Sequence, residues 1–302
     1  MASLAIIIPA YKDTYLKVAL DSIAAQTCHD FVLYIGDDCS PFQLEPIVEG
    51  YKDKINLVYQ RFDTNLGGTD LVAQWERCIA MSMDEPYIWL FSDDDVMDPN
   101  CVEEFLKHLK KTRGLYDLYH FDINEINESG EVTRQMCNYP DVLQAYDYYK
   151  GKIFGKYPSY VVENIFSRKV YDQSGGFKNF DLAWGSDTAT WAMFCGKKGM
   201  FKIPSAHVNW RRSSQNISPN RTRPISERKI MAVCNFLDWS YGYFSDQPDI
   251  FSVNRRMFVR RMKVFKKHIS NECFKKVFSE FFRVHGHNRY KWVVYLQIML
   301  HL

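Results

Sequence analysis

The sequence lacks the features that would assign it to several common classes of protein. Its eight cysteines are scattered, without a Cys-x-x-Cys pair or a Cys/His cluster at zinc spacing, so we expect reduced thiols and a cytoplasmic location. No apolar run reaches the roughly 18 residues that a membrane-spanning helix needs. The run Ala5–Pro9 is short and has no basic flank, so no signal peptide is expected.

Two phosphate-binding signatures are also absent. No Gly-x-Gly-x-x-Gly segment follows the first predicted strand, which argues against a dinucleotide cofactor, and there is no Walker A sequence. No recognised nucleic-acid motif accompanies the basic residues, so no nucleic-acid partner is expected. What remains is a chain of 302 residues with 16% aromatics, long enough for one large domain and a smaller addition.

The most informative stretch of the chain is an apolar run followed by three carboxylates. Tyr87–Phe91 is continuously apolar and aromatic, which predicts a central strand covered on both faces. Asp93, Asp94 and Asp95 follow at its carboxyl end, where ligands bind in open α/β sheets. Hard oxygen ligands suit Mg²⁺ or Mn²⁺, and these ions suit a phosphate-bearing substrate. A solvated acidic turn is the alternative interpretation.

The first hundred residues alternate between predicted strands and helices. Short apolar strands are predicted at Leu4–Ile8, Phe31–Ile35 and Asn56–Phe62, and amphipathic helices separate most of them. This order predicts an α/β fold with right-handed crossovers and a mainly parallel sheet flanked by helices. The loops after the strands would then lie along one rim of the sheet.

Four segments resemble the family 2 glycosyltransferases of the GT-A fold, in that family's order and spacing. They are Ile-Ile-Ile-Pro-Ala-Tyr, Gly-Asp-Asp-Cys-Ser, Asn-Leu-Gly-Gly and Phe-Ser-Asp-Asp-Asp-Val. The resemblance covers roughly residues 3–220. It implies a catalytic domain over 1–222, with a nucleotide-sugar half at about 1–100 and an acceptor half at about 101–222. It also implies transfer of a sugar from a nucleotide-diphosphate donor with inversion at the anomeric carbon.

The resemblance also implies which residues bind the donor and the metal. Asp37 would accept a hydrogen bond from the base, most often uracil, although a turn aspartate is the alternative. Because Ser92 occupies the first place of the usual Asp-x-Asp-Asp run, Asp94 becomes the expected ligand of Mn²⁺ or Mg²⁺, with Asp95 as its helper. The implied nucleotide-sugar site comprises Pro9, Ala10, Tyr11, Asp37, Asp38, Asn65, Gly67, Asp93 and Arg211.

A second segment, Trp184-Gly185-Ser186-Asp187, opens a predicted helix. The family carries Glu-Asp here, and its aspartate is the base, so the resemblance assigns that role to Asp187 and acceptor binding to Trp184 and Gly185. An attacking hydroxyl must lose its proton, which a carboxylate within reach accepts. The metal would neutralise the leaving diphosphate. Helix capping is the alternative role for Ser186 or Asp187.

Two further regions carry basic residues. Segment 209–218 resembles the family's Arg-x-His…Ser piece over the diphosphate, with Ser213 at the histidine position. Arg211 or Arg212 would pair with phosphate, and an unengaged surface arginine is the alternative. From Phe251 onward there are 12 Lys/Arg against 2 Asp/Glu, whereas the preceding 250 residues have 26 against 34. Region 223–302 is therefore predicted to be a basic, aromatic helical annex. It would lie on an anionic membrane surface, at the inner face of the cell membrane, or pack on the body or on a second copy as a homodimer.

The sequence therefore predicts a metal-dependent, inverting glycosyltransferase. The donor would be a nucleotide sugar, with a UDP-sugar favoured, and the acceptor a saccharide or glycolipid in bacterial-type surface polysaccharide synthesis. Two alternatives stay open: a nucleotidyltransferase that makes activated sugars, and a catalytically inactive sugar-binding domain. The first would need a Gly-rich phosphate loop with a basic residue right after the first strand.

Overall fold

A computed structural model describes residues 2–136, 139–213 and 220–300. Within these residues ten strands form one sheet, in the order β3-β2-β1-β4-β9-β6-β10-β5, with β7 beside β6 and β8 beside β10. The strands are β1 (Leu4–Ala10), β2 (Phe31–Asp37), β3 (Leu57–Arg61), β4 (Tyr87–Leu90), β5 (Val96–Met97), β6 (Leu118–Ile126), β7 (Val132–Met136), β8 (Val142–Leu143), β9 (Asn164–Ser167) and β10 (Met200–Arg211).

The same residues form eleven α-helices. They are α1 (Leu16–Ala24), α2 (Glu45–Glu49), α3 (Leu71–Ile79), α4 (Cys101–Thr112), α5 (Ala145–Phe154), α6 (Arg168–Ser174), α7 (Ser186–Cys195), α8 (Arg223–Tyr243), α9 (Ile250–Phe265), α10 (Asn271–His285) and α11 (Lys291–Met299). None of the helices in this described part of the chain has the length and apolar character needed to cross a membrane.

The sheet has a parallel half and a mixed half. Strands β1, β2, β3 and β4 pair in parallel, whereas β9 lies between β4 and β6 and is antiparallel to both. Strand β10 then runs parallel to β6. The predicted α/β class with flanking helices is confirmed. The predicted parallel pairing is found among β1, β2, β3 and β4, whereas the other half of the sheet is mixed. Because β1, β2 and β4 are parallel, their carboxyl ends meet at one edge.

Both faces of the sheet are covered by packed side chains. Along β1, Ala5 and Ile7 belong to one hydrophobic cluster while Leu4, Ile6 and Ile8 belong to the other. This alternation follows from the two-residue period of a strand. Apolar runs on the central strands are therefore buried on both faces, as the sequence predicts.

The C-terminal helices share a core with the sheet. Phe258, Met262, Phe281 and Phe282 are all buried in the same cluster as β1 residue Ile7. Burial of a side chain of this size contributes about 1.5–3 kcal/mol, so α9 and α10 are held firmly on the body. Of the three contacts predicted for the helical annex, packing on the body is the one that these two helices make.

Candidate active site

A cavity of about 1110 Å³ opens at the carboxyl end of the parallel strands. It brings together residues from both halves of the chain, including the acidic loop after β4 and the start of α7. Asp94 and Asp187, separated by more than ninety positions in sequence, line this one cavity. The sequence-predicted residues that line it are Pro9, Tyr11, Asp38, Asn65, Gly67, Asp93, Asp94, Asp95, Trp184, Gly185 and Asp187.

The acidic loop is tied to the end of β1 by hydrogen bonds. The backbone N–H groups of Tyr11 and Lys12 both donate to Asp93 Oδ2, each at 2.8 Å. Lys12 Nζ lies 2.7 Å from Asp94 Oδ2 and 3.9 Å from Asp93 Oδ1. The Ser92 hydroxyl donates to the other oxygen of Asp94. Asp94 is thereby held between a hydroxyl and an ammonium group at the surface of the cavity.

Three buried carboxylates against one ammonium leave this loop with excess negative charge. Burial, together with the neighbouring Asp94, raises the pKa of Asp93 to about 6. Burial and Asp94 also raise the pKa of Asp95 well above its usual range. Burial alone would lower the pKa of Lys12, but the carboxylates of Asp93 and Asp94 outweigh it and raise that pKa. A further positive charge would relieve this repulsion.

The donor chemistry of the loop fits a divalent cation. Within the described ranges, no three Asp, Glu, His or Cys side chains are arranged as a metal cluster. Mg²⁺ is usually held by one or two carboxylates together with substrate phosphates rather than by an all-protein cage. Asp94 and Asp95 are the residues that would hold such an ion if Asp94 gives up its contact with the Lys12 ammonium, whereas the two backbone hydrogen bonds of Asp93 tie the loop to the end of β1.

Asp37 lies outside the cavity. Its carboxylate is completely buried and accepts hydrogen bonds from the Tyr59 hydroxyl at 2.6 Å, Arg61 Nη1 at 2.7 Å and the Ser40 backbone N–H at 2.8 Å. The Ser40 contact is the turn geometry that the alternative interpretation expects. Neither Asp37 nor Ala10 is among the residues that line the cavity.

Asp38, next in sequence, is the aspartate of this turn that reaches the cavity. It accepts hydrogen bonds from the backbone N–H groups of Leu66 at 2.7 Å and Gly67 at 2.8 Å, and from Arg77. A Cβ atom on Gly67 would lie 2.7 Å from Asp38 Oδ2, so this close approach requires glycine. Asn65 Nδ2 donates to the Asp38 carbonyl at 3.2 Å. The loop after β3 is thereby fastened to the loop after β2.

Arg211 supports the acidic loop from behind. It is 2% exposed, and its backbone N–H donates to Asp95 Oδ1 at 2.6 Å while its Nε donates to the Asp94 carbonyl at 2.8 Å. Its Nη1 donates to two further carbonyls, of Asn127 and Glu128. The cavity is lined by Arg212 and not by Arg211. Residues 214–218 of the predicted segment over the diphosphate lie outside the described part of the chain.

Asp187 lies in the first turn of α7 and lines the cavity. The helix N-cap is Gly185, with φ of 97° and no side-chain cap hydrogen bond, so neither Ser186 nor Asp187 caps the helix. The Ser186 hydroxyl instead accepts from the Phe180 backbone N–H at 2.9 Å. A Cβ atom at Gly185 would lie 2.9 Å from the Phe236 ring, so glycine is needed for both its φ angle and its space.

Several cationic side chains line the cavity that the sequence interpretation did not include. Lys12 follows the Pro-Ala-Tyr segment, and Arg260 and Arg261 come from α9. The sequence contained an indication for Arg261. It stands three residues after Phe258, an apolar residue of the buried stripe, and therefore lies near the same face of the helix. The missed cations that line the cavity are Lys12, Lys152, Arg260 and Arg261, whereas Arg212 was one of the two arginines considered for the phosphate.

The mixed sheet, with its acidic loop at the edge of the parallel half, defines a GT-A-like α/β protein. Residues 5–179 match the family described as Glycosyl transferase family 2, and the chain belongs to that family. A poly(ribitol-phosphate) β-N-acetylglucosaminyltransferase of Staphylococcus aureus, TarS, is 31% identical over 134 residues. That match covers 43% of this chain and 22% of the relative, so the chain aligns with about a fifth of that protein.

Solved structures share the fold at low sequence identity. The structure of S. aureus TarS 1–349 with UDP-GlcNAc has a TM-score of 0.60 and 14% identity, covering 98% of this chain and 87% of that one. The mannosyltransferase PcManGT from Pyrobaculum calidifontis, solved with GDP-Man and Mn²⁺, has a TM-score of 0.54 and 11% identity, covering 98% and 84%. These likenesses extend the GT-A-like architecture over the C-terminal helices.

Proposed function

We propose that this protein is a metal-dependent, inverting glycosyltransferase. It moves a sugar from a nucleotide-diphosphate donor, preferably a UDP-sugar, to a saccharide or glycolipid acceptor in surface polysaccharide synthesis, in the cytoplasm. The observation that carries the proposal is that Asp94 and Asp187 line one cavity. Membership of family 2 supports sugar transfer. The UDP-GlcNAc and Mn²⁺ named for neighbouring structures support the donor and the ion.

In the proposed site, the donor lies between the ends of the parallel strands and the acidic loop. Tyr11 is 41% exposed at the cavity, so its ring is available to the base or ribose, and Asp38 lies beside it at the same edge. Asp93 would lie near the ribose. A divalent ion, when bound by Asp94 and Asp95, would neutralise charge on the diphosphate. Arg211 supports the loop that presents these carboxylates.

Asp187 acts as the base in this proposal. As the acceptor oxygen bonds to the anomeric carbon, the bond from that carbon to the diphosphate oxygen breaks and the hydroxyl proton passes to Asp187. Attack on the face opposite the leaving group inverts the anomeric carbon. Trp184 and Gly185, two and three residues before Asp187, line the same cavity and would contact the acceptor.

The decisive experiment measures nucleoside diphosphate release from a panel of nucleotide sugars with Mn²⁺. We expect Asp187→Asn to lower turnover about 10²–10⁴-fold, the usual contribution of a general base, while the affinity for UDP stays unchanged. The matched control is Asp181→Asn, because Asp181 is partly exposed and pairs with Arg228 on the surface. Undiminished turnover in Asp187→Asn would remove Asp187 from the mechanism.

The same assay separates the two alternatives. A nucleotidyltransferase would form or consume pyrophosphate and would not release nucleoside diphosphate. An inactive sugar-binding domain would bind a saccharide in calorimetry and stay silent with every donor. Lys12 is a basic residue after the first strand, which a nucleotidyltransferase would need. However, Lys12 pairs with Asp94, and no Gly-rich loop accompanies it.

We also propose that helix α11 lies against an anionic membrane surface. Its outward face is apolar, with Trp292 77% exposed and Leu296 46% exposed, and Arg289 and Lys291 flank it. Each basic residue near anionic lipid contributes about 1 kcal/mol. We expect Trp292→Ser to weaken sedimentation with anionic vesicles, whereas Met83→Ser, a change at another exposed apolar residue, leaves it unchanged.

Neutral vesicles and ultracentrifugation complete that test. Binding to anionic but not neutral vesicles would support the proposal that α11 lies against an anionic membrane surface. A dimer that Trp292→Ser dissociates, without vesicle binding, would assign the face to a second copy of the chain.

A further inference from the structure

One wall of the cavity is cationic, and it lies beside Asp187. Lys152 from α5 and Arg260 and Arg261 from α9 all line the cavity. Arg212 also lines it, but its guanidinium is committed to a bidentate pair with Glu125, at 2.6 and 2.9 Å. The first three cations therefore remain to be explained.

These three side chains have few partners of their own. The Lys152 ammonium donates to the Ser159 carbonyl, whereas the guanidinium groups of Arg260 and Arg261 make no hydrogen bond or ion pair to residues in the described ranges. Arg261 Nε is buried without a hydrogen-bond partner there. The Arg261 guanidinium carbon lies 5.7 Å from the centre of the Trp184 ring, within range of a cation–π contact.

The charges around this wall do not balance. Burial and then Arg260 lower the pKa of Arg261 to about 10, against the effect of Asp187. Burial lowers the pKa of Lys152, and Asp187 and Glu163 oppose that shift. Of the Glu163 carboxylate, Oε1 accepts from the Ser159 hydroxyl and the Tyr160 backbone N–H, and Oε2 is buried without a hydrogen-bond partner among the described residues. Lys152 and Arg261 thus face Asp187, and the exposed Arg260 adds a third positive charge to this wall, which favours an anionic ligand.

We propose that Lys152, Arg260 and Arg261 bind a phosphate group of the acceptor. The acceptor is then a phosphate-bearing saccharide or polyol, not a neutral sugar. This inference rests on the proposed glycosyltransferase function and names the class of its acceptor. Arginine forks match phosphate oxygens in geometry and charge, and an unpaired buried Nε is a donor that such an oxygen would satisfy.

The donor diphosphate also carries phosphate groups that these cations would bind. The position of the cations favours a phosphate group of the acceptor instead. Asp187, the proposed base, acts electrostatically on Lys152 and Arg261, and Arg261 contacts the ring of Trp184. The acidic loop that would hold the donor diphosphate has its own cation in Lys12. The phosphate-binding wall therefore lies on the side of the cavity where the acceptor hydroxyl must enter.

The test is a pair of titrations on the same protein samples. Calorimetry with glycerol 3-phosphate measures the proposed site, glycerol is the neutral control, and UDP with Mn²⁺ measures the donor site. We expect the double variant Arg260→Gln/Arg261→Gln to weaken glycerol 3-phosphate at least tenfold and to leave UDP binding unchanged. Arg261→Lys, which keeps the charge, should retain part of the affinity.

The matched control is Arg255→Gln. Arg255 belongs to the same helix and lies over the Tyr290 ring, outside this cavity, so we expect it to leave both titrations unchanged. Unaltered UDP binding also shows that each variant is folded.

Four results would overturn the inference. Equal glycerol 3-phosphate affinity in the double variant and the wild type would exclude these arginines. Parallel weakening of glycerol 3-phosphate and UDP would assign the wall to the donor diphosphate. Wild-type protein that binds UDP but not glycerol 3-phosphate would refute the phosphate site and leave the glycosyltransferase proposal intact, whereas protein that binds no nucleotide would refute both.

Discussion

The pairing of Lys12 with Asp94 predicts that a divalent ion and the lysine ammonium compete for one carboxylate. The ammonium lies 2.7 Å from Asp94 Oδ2, and the two side chains are 25% and 10% exposed. If Asp94 binds the ion, the ammonium must give up this contact. We therefore expect Lys12→Met to lower stability without metal and to increase the stabilisation that Mn²⁺ provides.

The magnitude follows from the burial of the pair. Removing one partner of a fully buried ion pair costs about 3–5 kcal/mol, and the partial exposure of Lys12 reduces this to roughly 2–3 kcal/mol. An ion present at 100 times its dissociation constant stabilises the folded state by about 2.7 kcal/mol. Because the wild type loses the Lys12–Asp94 contact when the ion binds, its gain should be smaller than the variant's by up to roughly 2–3 kcal/mol.

The assay is urea unfolding in EDTA and in Mn²⁺, which needs no substrate and no turnover. Lys17→Met is the control with the same change of charge, since Lys17 pairs with Asp21 on the exposed face of α1 and such pairs contribute at most about 1 kcal/mol. Equal Mn²⁺ stabilisation in wild type and Lys12→Met would refute the shared carboxylate. A fully stable Lys12→Met in EDTA would refute the charge argument itself.

Two further changes test the buried polar groups. Arg211→Met should lower the free energy of unfolding by roughly 4.5 kcal/mol or more, because three backbone carbonyls each lose a charged donor worth about 1.5–3 kcal/mol. A loss below about 1 kcal/mol in urea would contradict this. Burial lowers the pKa of His285 to about 4. The neutral imidazole donates from Nδ1–H to the Phe281 carbonyl and accepts at Nε2 from the Asn254 amide. The contribution of neutral His285 to the free energy of unfolding is full above pH 6.5 and is lost as the pH falls toward 4. In that window the wild type should lose about 1.4 kcal/mol more of this free energy per pH unit than His285→Gln. Equal slopes of unfolding free energy against pH would contradict the prediction.

The edge of the sheet that carries the site was open to prediction from the sequence. Short apolar strands that alternate with amphipathic helices predict parallel pairing, and parallel strands end at a common edge. The sequence therefore predicts Tyr11, Asp37 and the acidic loop along one rim of the sheet. The arrival of Asp187 at the same cavity did not follow from periodicity, because β9 enters the sheet antiparallel, and only the resemblance linked that segment to the site.

The direction of each side chain within a turn was the feature least predictable from the sequence. Asp37 and Asp38 are adjacent in sequence, yet Asp37 turns inward to Tyr59 and Arg61 while Asp38 reaches the cavity. The same holds for Arg211 and Arg212, of which the second faces the cavity. Neighbouring residues of an extended chain point to opposite sides, so an error of one position exchanges a structural residue for a site residue.

The replacement of an acidic residue by Ser186 connects the acceptor side of the site to its charge. The resemblance implies Glu-Asp at this position, whereas here the Ser186 hydroxyl is completely buried and accepts from the Phe180 backbone N–H. The start of α7 is thus held without a second carboxylate, and Asp187 faces the cations of α5 and α9 with one negative charge. An acidic neighbour would offset part of that positive charge. The proposed base therefore stands at this wall as the one carboxylate of the Ser186–Asp187 pair, which is consistent with a wall that attracts a phosphate-bearing acceptor.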